Sequence, residues 1–336
     1  MSKIIITGGS GFIGSCLIKT LVKNKKNKVY NIDLLTKTSL PESLNKIKNY
    51  KNYFFLKANI SDFKIINKLI NKIKPDIVYN LAAESHVDNS IENPKNFIDT
   101  NILGTYNLIN ICNKYINKNK NKKFKFIHVS TDEVYGSLTI KQRKSLENDP
   151  YLPNSPYSAS KASSDMIVRA WNKTYNFPSL ITNCANNYGI YQHPEKLIPK
   201  VISCILENKK IPVYGNGKNI REWIHVEDHV SALIQIQKKG QIGENYNIGS
   251  GILKKNIDIV KIICKYADKI INNNKKSSLL IKFVKDRKGH DLKYALNSNK
   301  IRKNLNYRNN KFFNKELFKV VKWYIDNKKW LINKSQ

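Results

Sequence analysis

Residues 7–15 read TGGSGFIGS. Before them stands KIIIT (3–7), a short β-branched apolar run that predicts a strand. After them Phe12, Ile13, Cys16, Leu17, Thr20 and Leu21 recur at helical spacing. Gly8, Gly11 and Gly14 therefore sit in a GxxGxxG turn between a strand and a helix. Glycine there permits a tight turn and lets backbone N–H groups approach a pyrophosphate, and the helix N-terminus adds favourable partial charge. A glycine trio alone is weak, because turns need glycine anyway. Context strengthens it. KVYNID (28–33) is a second strand, and it ends in Asp33, where an acid can bind the adenosine ribose hydroxyls. No Arg follows Asp33, so a 2′-phosphate would meet repulsion without compensation. The expected cofactor is NAD, not NADP. That Asp33 merely caps a turn stays open at this point.

The alternation continues outward. YFFLKAN (53–59), DIVYNLAA (76–83), FKFIHVS (124–130) and PSLITNCANNYG (178–189) read as strands, the last running into a loop. Helical stretches are expected at 65–73, at about 94–116, and from the run beginning PYSASK, with Pro156 in the turn before it. Strands with apolar interiors alternating with helices predict an α/β fold, a Rossmann-type doubly wound parallel sheet covered on both faces. Beyond about Gly189 the regularity declines. Short strands (IPVYG, ENYNIG) mix with helices near 226–238 and 256–267, and Phe313, Leu317, Val320, Val321 and Tyr324 mark an amphipathic tail. The expected division is an NAD-binding part at 1–180 and a smaller α/β part at 181–336, mainly substrate-binding and interwoven with the first.

The 336 residues are 41% hydrophobic, enough for a sizeable core, and no apolar stretch approaches the length of a membrane span. The formal net charge of +34 invites a nucleic-acid reading. The lysines, however, are scattered among Asn and Ile, and the densest runs (23–28, 117–125) fall between a helix and a strand, where a solvated surface is expected. No zinc-finger spacing or RNA-binding aromatic signature occurs, so no specific nucleic-acid partner and no membrane are expected. A positive field does favour a small anionic substrate. Five cysteines without paired spacing, and a first segment lacking the zones of a signal peptide, predict a reduced, cytoplasmic protein with no metal centre.

Tyr157 and Lys161 stand at i, i+4 on one face of a predicted helix. A nearby ammonium favours phenolate, which would make Tyr157 a base near neutral pH. Thr131, ending the fifth strand, can hydrogen-bond the same substrate hydroxyl. With the glycine turn, this set resembles the active site of the short-chain dehydrogenases/reductases, extended type. STDEVYG (130–136) then adds two carboxylates, Asp132 and Glu133. A plain dehydrogenase needs neither. If C4 of a hexose is oxidised, the C5 proton becomes acidic. One carboxylate can remove it, and a neighbouring carboxylic acid can protonate the 6-hydroxyl, so that water leaves. Adjacent carboxyls help push their own pKa values apart. Neighbours in a strand face opposite sides, so the strand should end by Thr131 with the pair on a turn. The bland alternative is that the two acids merely open a helix.

These stretches, with LAAESHVDNSI, TNILGTYNL, SPYSASKASSDMIVRAW, TNCANNYG, PEKLIPK, YGNGKNIREWIHVEDH, YNIGSG and DRKGHDLKYAL, resemble the dTDP-glucose 4,6-dehydratase family over nearly the whole chain. The Asp132–Glu133 pair discriminates: sugar 4-epimerases of the same frame lack it. The resemblance implies an NAD-dependent lyase acting on dTDP-glucose, a step toward deoxysugars such as rhamnose. It implies Asp132 as the acid at O6, Glu133 as the base at C5 and Tyr157 as the base at O4, assisted by Lys161 and Thr131. It places Phe12, Ile13 and the glycines at the cofactor, and Asn59 and Ile60 near adenine, where the family has Asp-Ile. Ser85, Asn186 and Lys196 match positions near the sugar and diphosphate, and Arg221, Asn256, Arg287 and His290 match positions around the nucleotide. His86 is left without a role. LTKTS (35–39 with Leu34 before it) and Lys288 depart from the family pattern. The family also implies a homodimer packed through the helices at about 94–116 and 157–175, with Leu103, Tyr106, Leu108, Ile109, Met166 and Trp171 as apolar surface. UDP-glucose as substrate, a C4 epimerase and a basic nucleic-acid-binding protein are the alternatives.

Overall fold

A computed structural model describes residues 1–121, 123–272 and 276–335. Lys122, inside the 117–125 lysine run, lies outside the described residues. In chain order the first half runs β1 (Ser2–Thr7), α1 (Phe12–Leu21), β2 (Asn27–Asp33), β3 (Tyr53–Lys57), α2 (Phe63–Ile73), β4 (Ile77–Asn80), α3 (Val87–Glu92), α4 (Pro94–Phe97), α5 (Thr105–Asn119), β5 (Lys125–Thr131) and α6 (Pro156–Tyr175). Then follow β6 (Ser179–Cys184), β7 (Asn186–Tyr188), α7 (Leu197–Leu206), β8 (Ile211–Tyr214), β9 (Ile220–His225), α8 (Val226–Lys239) and β10 (Asn245–Ile248). The chain closes with β11 (Leu253–Lys255), α9 (Asn256–Ile271), β12 (Ile281–Val284), α10 (Asn299–Leu305), α11 (Phe313–Asp326) and α12 (Lys328–Ser335).

Seven strands form one sheet in the order β10-β6-β5-β4-β1-β2-β3, every pairing parallel. Period-2 alternation explains the unbroken apolar strands. Ile4 and Ile6 face one layer, with Leu17 and Ile18 of α1 and Val230 and Leu233 of α8. Ile5 faces the other, with Ile66 and Ile70 of α2, Leu108 and Cys112 of α5 and Val168 of α6. Strand order reverses at β1, between β2 and β4, which opens a crevice at the carboxyl ends of these strands. A third core lies among α7, α9 and α11, around Ile202, Ile263 and Val321. Two small sheets, β11-β9-β7 and β12-β8, join this core to the crevice. Although late in the chain, β10 extends the large sheet and α8 packs on α1.

Four local expectations change. The strands expected at 53–59 and 76–83 end at Lys57 and Asn80, and the freed residues line the crevice. The helix expected at 94–116 is α4, then a π-helical stretch at Ile98–Gly104, then α5. Its widening brings Asn101 inward to bond the 84–86 loop and Ser160, and a Cβ at Gly104 would lie 2.7 Å from Ile60. Pro156 is the first residue of α6, not a residue of the preceding turn: Ser155 and Ser158 form a capping box around it. Leu108 and Ile109 are fully buried, so the exposed apolar face of these helices is Leu103, Tyr106 and Met166, with Tyr106 edge-on to Trp171.

Candidate active site

The crevice holds a cavity of about 330 Å³. Gly8, Gly11, Phe12, Ile13, Gly14, Asp33, Asn59 and Ile60 line one end. Gly8 has φ +68°, and a Cβ there would meet the Ala82 backbone at 2.7 Å. A Cβ on Gly14 would stand 2.3 Å from the Gly8 carbonyl oxygen, so this glycine lets the helix close onto the turn. No side chain caps α1 and its first turn carries no acid, so its leading N–H groups have no side-chain acceptor. Asp33 is nearly buried and braced: Oδ2 accepts from Ser10 N (2.9 Å), Oδ1 from Leu35 N (2.8 Å) and Ser39 Oγ (2.9 Å). A dinucleotide's pyrophosphate and ribose fit this donor cradle and fixed acid.

Thr131, Asp132, Glu133, Tyr157, Lys161, Asn186, Lys196 and Ser85 line the other end. β5 does end at Thr131, and Asp132–Tyr135 form a single 3₁₀ turn whose entry is capped by Thr131 Oγ1, accepting from Glu133 N at 3.3 Å. The same hydroxyl donates to Asp132 Oδ1 (3.3 Å). Asp132 is 4% exposed, and its Oδ2 finds no partner among the described residues. Burial, then Glu133 and Glu222, push the Asp132 carboxyl well above its usual range. Burial raises Glu133 too, but Arg221, Arg287 and Lys196 oppose it. The two carboxyls therefore differ in kind: Asp132 tends to hold its proton, whereas Glu133 has three cations favouring its anion.

Tyr157 and Lys161 share the inner face of α6, as their spacing predicts. The electrostatics differ from the expectation. Burial, then the Glu133 carboxylate, raises the Tyr157 phenol well above its normal value, with a Thr131 hydrogen bond opposing. Burial lowers Lys161, whose Nζ donates to the Val129 carbonyl at 2.9 Å. The Lys161 ammonium is turned to a carbonyl, while the Glu133 carboxylate opposes a phenolate at Tyr157.

Of the substrate-side residues, Lys196 Nζ donates to the Ser85 carbonyl (2.8 Å), tying the β4 loop to the N-terminus of α7. Arg221, Asn256, Arg287 and His290 are not in the cavity lining. Arg221 is buried, with Nη2 on the Asp291 carbonyl (3.0 Å) and its guanidinium over Tyr294. Arg287 Nη1 lies 3.6 Å from Asp88 Oδ1, and His290 Nδ1 lies 2.6 Å from Asp286 Oδ1. Asn256 opens α9, its N–H donating to the Asn219 carbonyl (2.9 Å). Of these four, Arg221 and Arg287 bear on Glu133 electrostatically. His86 lines the cavity, and its Nδ1 accepts from Asn89 N at 3.4 Å to cap α3.

Sequence reasoning passed over Thr100, Asn101, His193 and Glu195. Thr100, His193 and Glu195 line the cavity. Asn101 clamps both backbone groups of Glu84, accepting its N–H (2.8 Å) and donating to its carbonyl (3.0 Å). A buried amide inside an apolar helix was the available signal; His193 and Glu195 adjoin Lys196 in HPEK. Among the described residues no group of three His, Cys, Asp or Glu side chains is placed to hold a metal, and no helix is long and apolar enough to cross a membrane.

The family model described as GDP-mannose 4,6 dehydratase matches residues 5–319. A dTDP-glucose 4,6-dehydratase of Escherichia coli is 45% identical over 343 residues, covering 98% of this chain and 95% of that one. The crystal structure of dTDP-glucose 4,6-dehydratase from Bacillus anthracis in complex with NAD superposes with a TM-score of 0.86 at 39% identity, covering 98% of each chain. That of the Streptomyces venezuelae enzyme, with NAD and thymidine diphosphate bound, gives 0.89 at 36% identity, again over 98% of each. Glycine cradle, braced acid and carboxyl pair thus stand in a frame shared along nearly its whole length, and the chain belongs to the dTDP-glucose 4,6-dehydratase family of extended short-chain dehydrogenases/reductases.

Proposed function

We propose that this chain is an NAD-dependent hydro-lyase that converts dTDP-glucose into dTDP-4-dehydro-6-deoxy-glucose. The observation that carries the reading is the carboxyl pair, one member proton-holding and one cation-flanked, in the same cavity as Tyr157. Gly8, Gly11, Gly14 and Asp33 would hold NAD, which would supply the hydride acceptor at C4 and the hydride returned at C6. Tyr157 removes the O4 proton, with Thr131 in the same cavity and Lys161 holding the strand end. Glu133 removes the C5 proton made acidic by the new ketone and later gives it back. Asp132 protonates O6, which leaves as water. The proton count closes when the O4 proton passes from Tyr157 back to Asp132, whose Oδ1 the Thr131 hydroxyl bonds.

The remaining assignments follow the same reading. Asn59 and Ile60 bound the adenine, Ser85, Asn186 and Lys196 the sugar and diphosphate, and Arg221, Asn256, Arg287 and His290 the nucleotide. Arg's planar fork suits phosphate oxygens. Residues 1–180 mainly hold NAD and 181–336 mainly hold substrate. The protein works in the cytoplasm as a homodimer, its exposed Leu103, Tyr106 and Met166 covered by a second copy. The test is to offer purified protein dTDP-glucose and UDP-glucose separately and identify the sugar products. A 4-keto-6-deoxy product from dTDP-glucose with no net NADH is expected. A C4 epimer retaining its 6-hydroxyl, or NADH rising in step with product, would overturn the reading.

A further inference from the structure

The C-terminal helix touches both lips of the cofactor end of the cavity. One lip is the 34–40 loop, whose Thr36, Thr38 and Ser39 line the cavity and whose Ser39 braces Asp33. It continues into the 3₁₀ helix Pro41–Ile47, and there Glu42 Oε1 accepts from Trp330 Nε1 at 2.8 Å and pairs with Lys334 Nζ at 3.1 Å. The other lip is 189–193, whose Gln192 and His193 also line the cavity. Tyr191 lies against Trp323 (ring centroids 4.6 Å) and Trp330 (5.6 Å). Gln192 N donates to Tyr324 Oη (2.8 Å), and that buried hydroxyl turns back to the Gln192 carbonyl (3.0 Å).

Two features resist a purely structural reading. Tyr191 has φ +62°, a left-handed conformation that a bulky residue adopts at a cost in free energy, and the aromatic cluster is what holds it there. And Trp330 directs its one donor to a carboxylate 288 positions earlier in the chain, not within its own layer. Lys19, from the helix that follows the glycine turn, also stands over the Tyr191 ring at 5.1 Å.

We infer that Trp330 is a positioning residue for NAD retention, acting through Glu42 on one lip and Tyr191 on the other, so that the cofactor leaves only when both lips part. This role rests on the NAD site proposed above. It suits a reaction in which the cofactor is restored each cycle and gains nothing by dissociating. Indole removal takes one contact from each lip at once, leaving Trp323 and Tyr324 on the 189–193 side and Lys334 on the Glu42 side. Loss of the Nε1–H donor alone frees only the Glu42 side.

The experiment measures exchange of bound NAD against excess etheno-NAD, followed by fluorescence, in the full-length protein and in W330A, W330F and E42Q. Exchange should quicken by roughly tenfold or more in W330A, the share of a charge-assisted hydrogen bond and its packing, and by less in W330F and E42Q. Melting of each variant with and without NAD separates retention from stability. The NAD-induced rise in Tm should shrink in W330A. If W330A melts lower but keeps both the native exchange rate and the native NAD-induced rise, Trp330 is only a structural residue and the inference is wrong. Should W330A not fold, W330F decides, since it removes the Nε1–H donor while keeping an aromatic ring: quickened exchange supports the inference and native exchange overturns it. If the unmodified protein binds no NAD, the cofactor site itself fails, and the clasp with it.

Discussion

Glu133→Gln should separate oxidation from elimination. Gln keeps the side chain's length, and the anchor that sets the turn is the Glu133 backbone N–H on Thr131 Oγ1, which the substitution leaves alone. What disappears is the base at C5. Positioned acid–base groups contribute about 100- to 10,000-fold, so steady-state turnover should fall by that order, about 3 to 5 kcal/mol of barrier. Oxidation at C4 uses Tyr157, Thr131 and Lys161 and should survive. Mixed with dTDP-glucose in a stopped-flow instrument, the variant should accumulate the absorbance of reduced nicotinamide to at most one equivalent per subunit and then stall. Solvent deuterium should enter C5 slowly or not at all. The pH dependence gives a second, independent sign. Burial first, and the Glu133 carboxylate next, hold the Tyr157 phenol above its normal value. Removing that carboxylate lets the phenol ionise at lower pH. Because the phenolate is the reacting form, the rising limb of the oxidation rate should move to lower pH in the variant. If Glu133→Gln suppresses reduced nicotinamide as severely as Tyr157→Phe, with fold and NAD content intact, the division of labour is wrong. Native turnover would mean that the pair is structural.

Asp132→Asn should leave oxidation and C5 exchange running while water loss falls by about 100-fold or more, read by deuterium incorporation against product formation. Tyr157→Phe retains the ring's edge contact with Phe97 (6.3 Å) and should depress the first appearance of reduced nicotinamide itself, in the same stopped-flow assay. Gly14→Ala would place a Cβ 2.3 Å from the Gly8 carbonyl; NAD should be lost, as released nucleotide measured after denaturation, and stability lowered by about 1–3 kcal/mol in urea unfolding. Light scattering should give twice the chain mass for the native protein, and Leu103→Asp, 49% exposed on the proposed dimer face, should shift it toward monomer at micromolar concentration.

The sheet was legible because its central strands are buried on both faces and read as apolar runs, as Ile4, Ile5 and Ile6 of β1 and Ile77, Val78 and Tyr79 of β4 do. The glycine turn, Asp33 and the strand end at Thr131 were legible because each is a local backbone requirement. The end of β4 at Asn80 was not, since LAA continues the apolar run and only the cavity beyond explains why it leaves the sheet. The π-helical stretch at 98–104 was hidden for a similar reason: its cause is Asn101 bonding Glu84 and Ser160, 17 and 59 positions away. Leu108 and Ile109 were misplaced because helical spacing shows that a face is apolar but not which layer covers it.

The split between acid and base was the least legible, and the reason is physical. Burial raises both carboxyls, and as neighbours on one turn they look alike in sequence. The difference comes from charges that the chain delivers later. Arg221 arrives on β9, Lys196 at the start of α7 and Arg287 on the loop after β12, and all three bear on Glu133. Against Asp132, Arg221 is countered by Glu133 and by Glu222, a fully buried carboxylate held by Gly251 N (2.6 Å) and Leu296 N (2.8 Å). Arg221 and Glu222 are adjacent in β9, so their side chains leave the strand in opposite directions, one cation and one anion from a single stretch. The electrostatic difference between the two carboxyls arises only when the segments beyond residue 181 close around them. The residues that do this lie outside STDEVYG, the motif that names the chemistry.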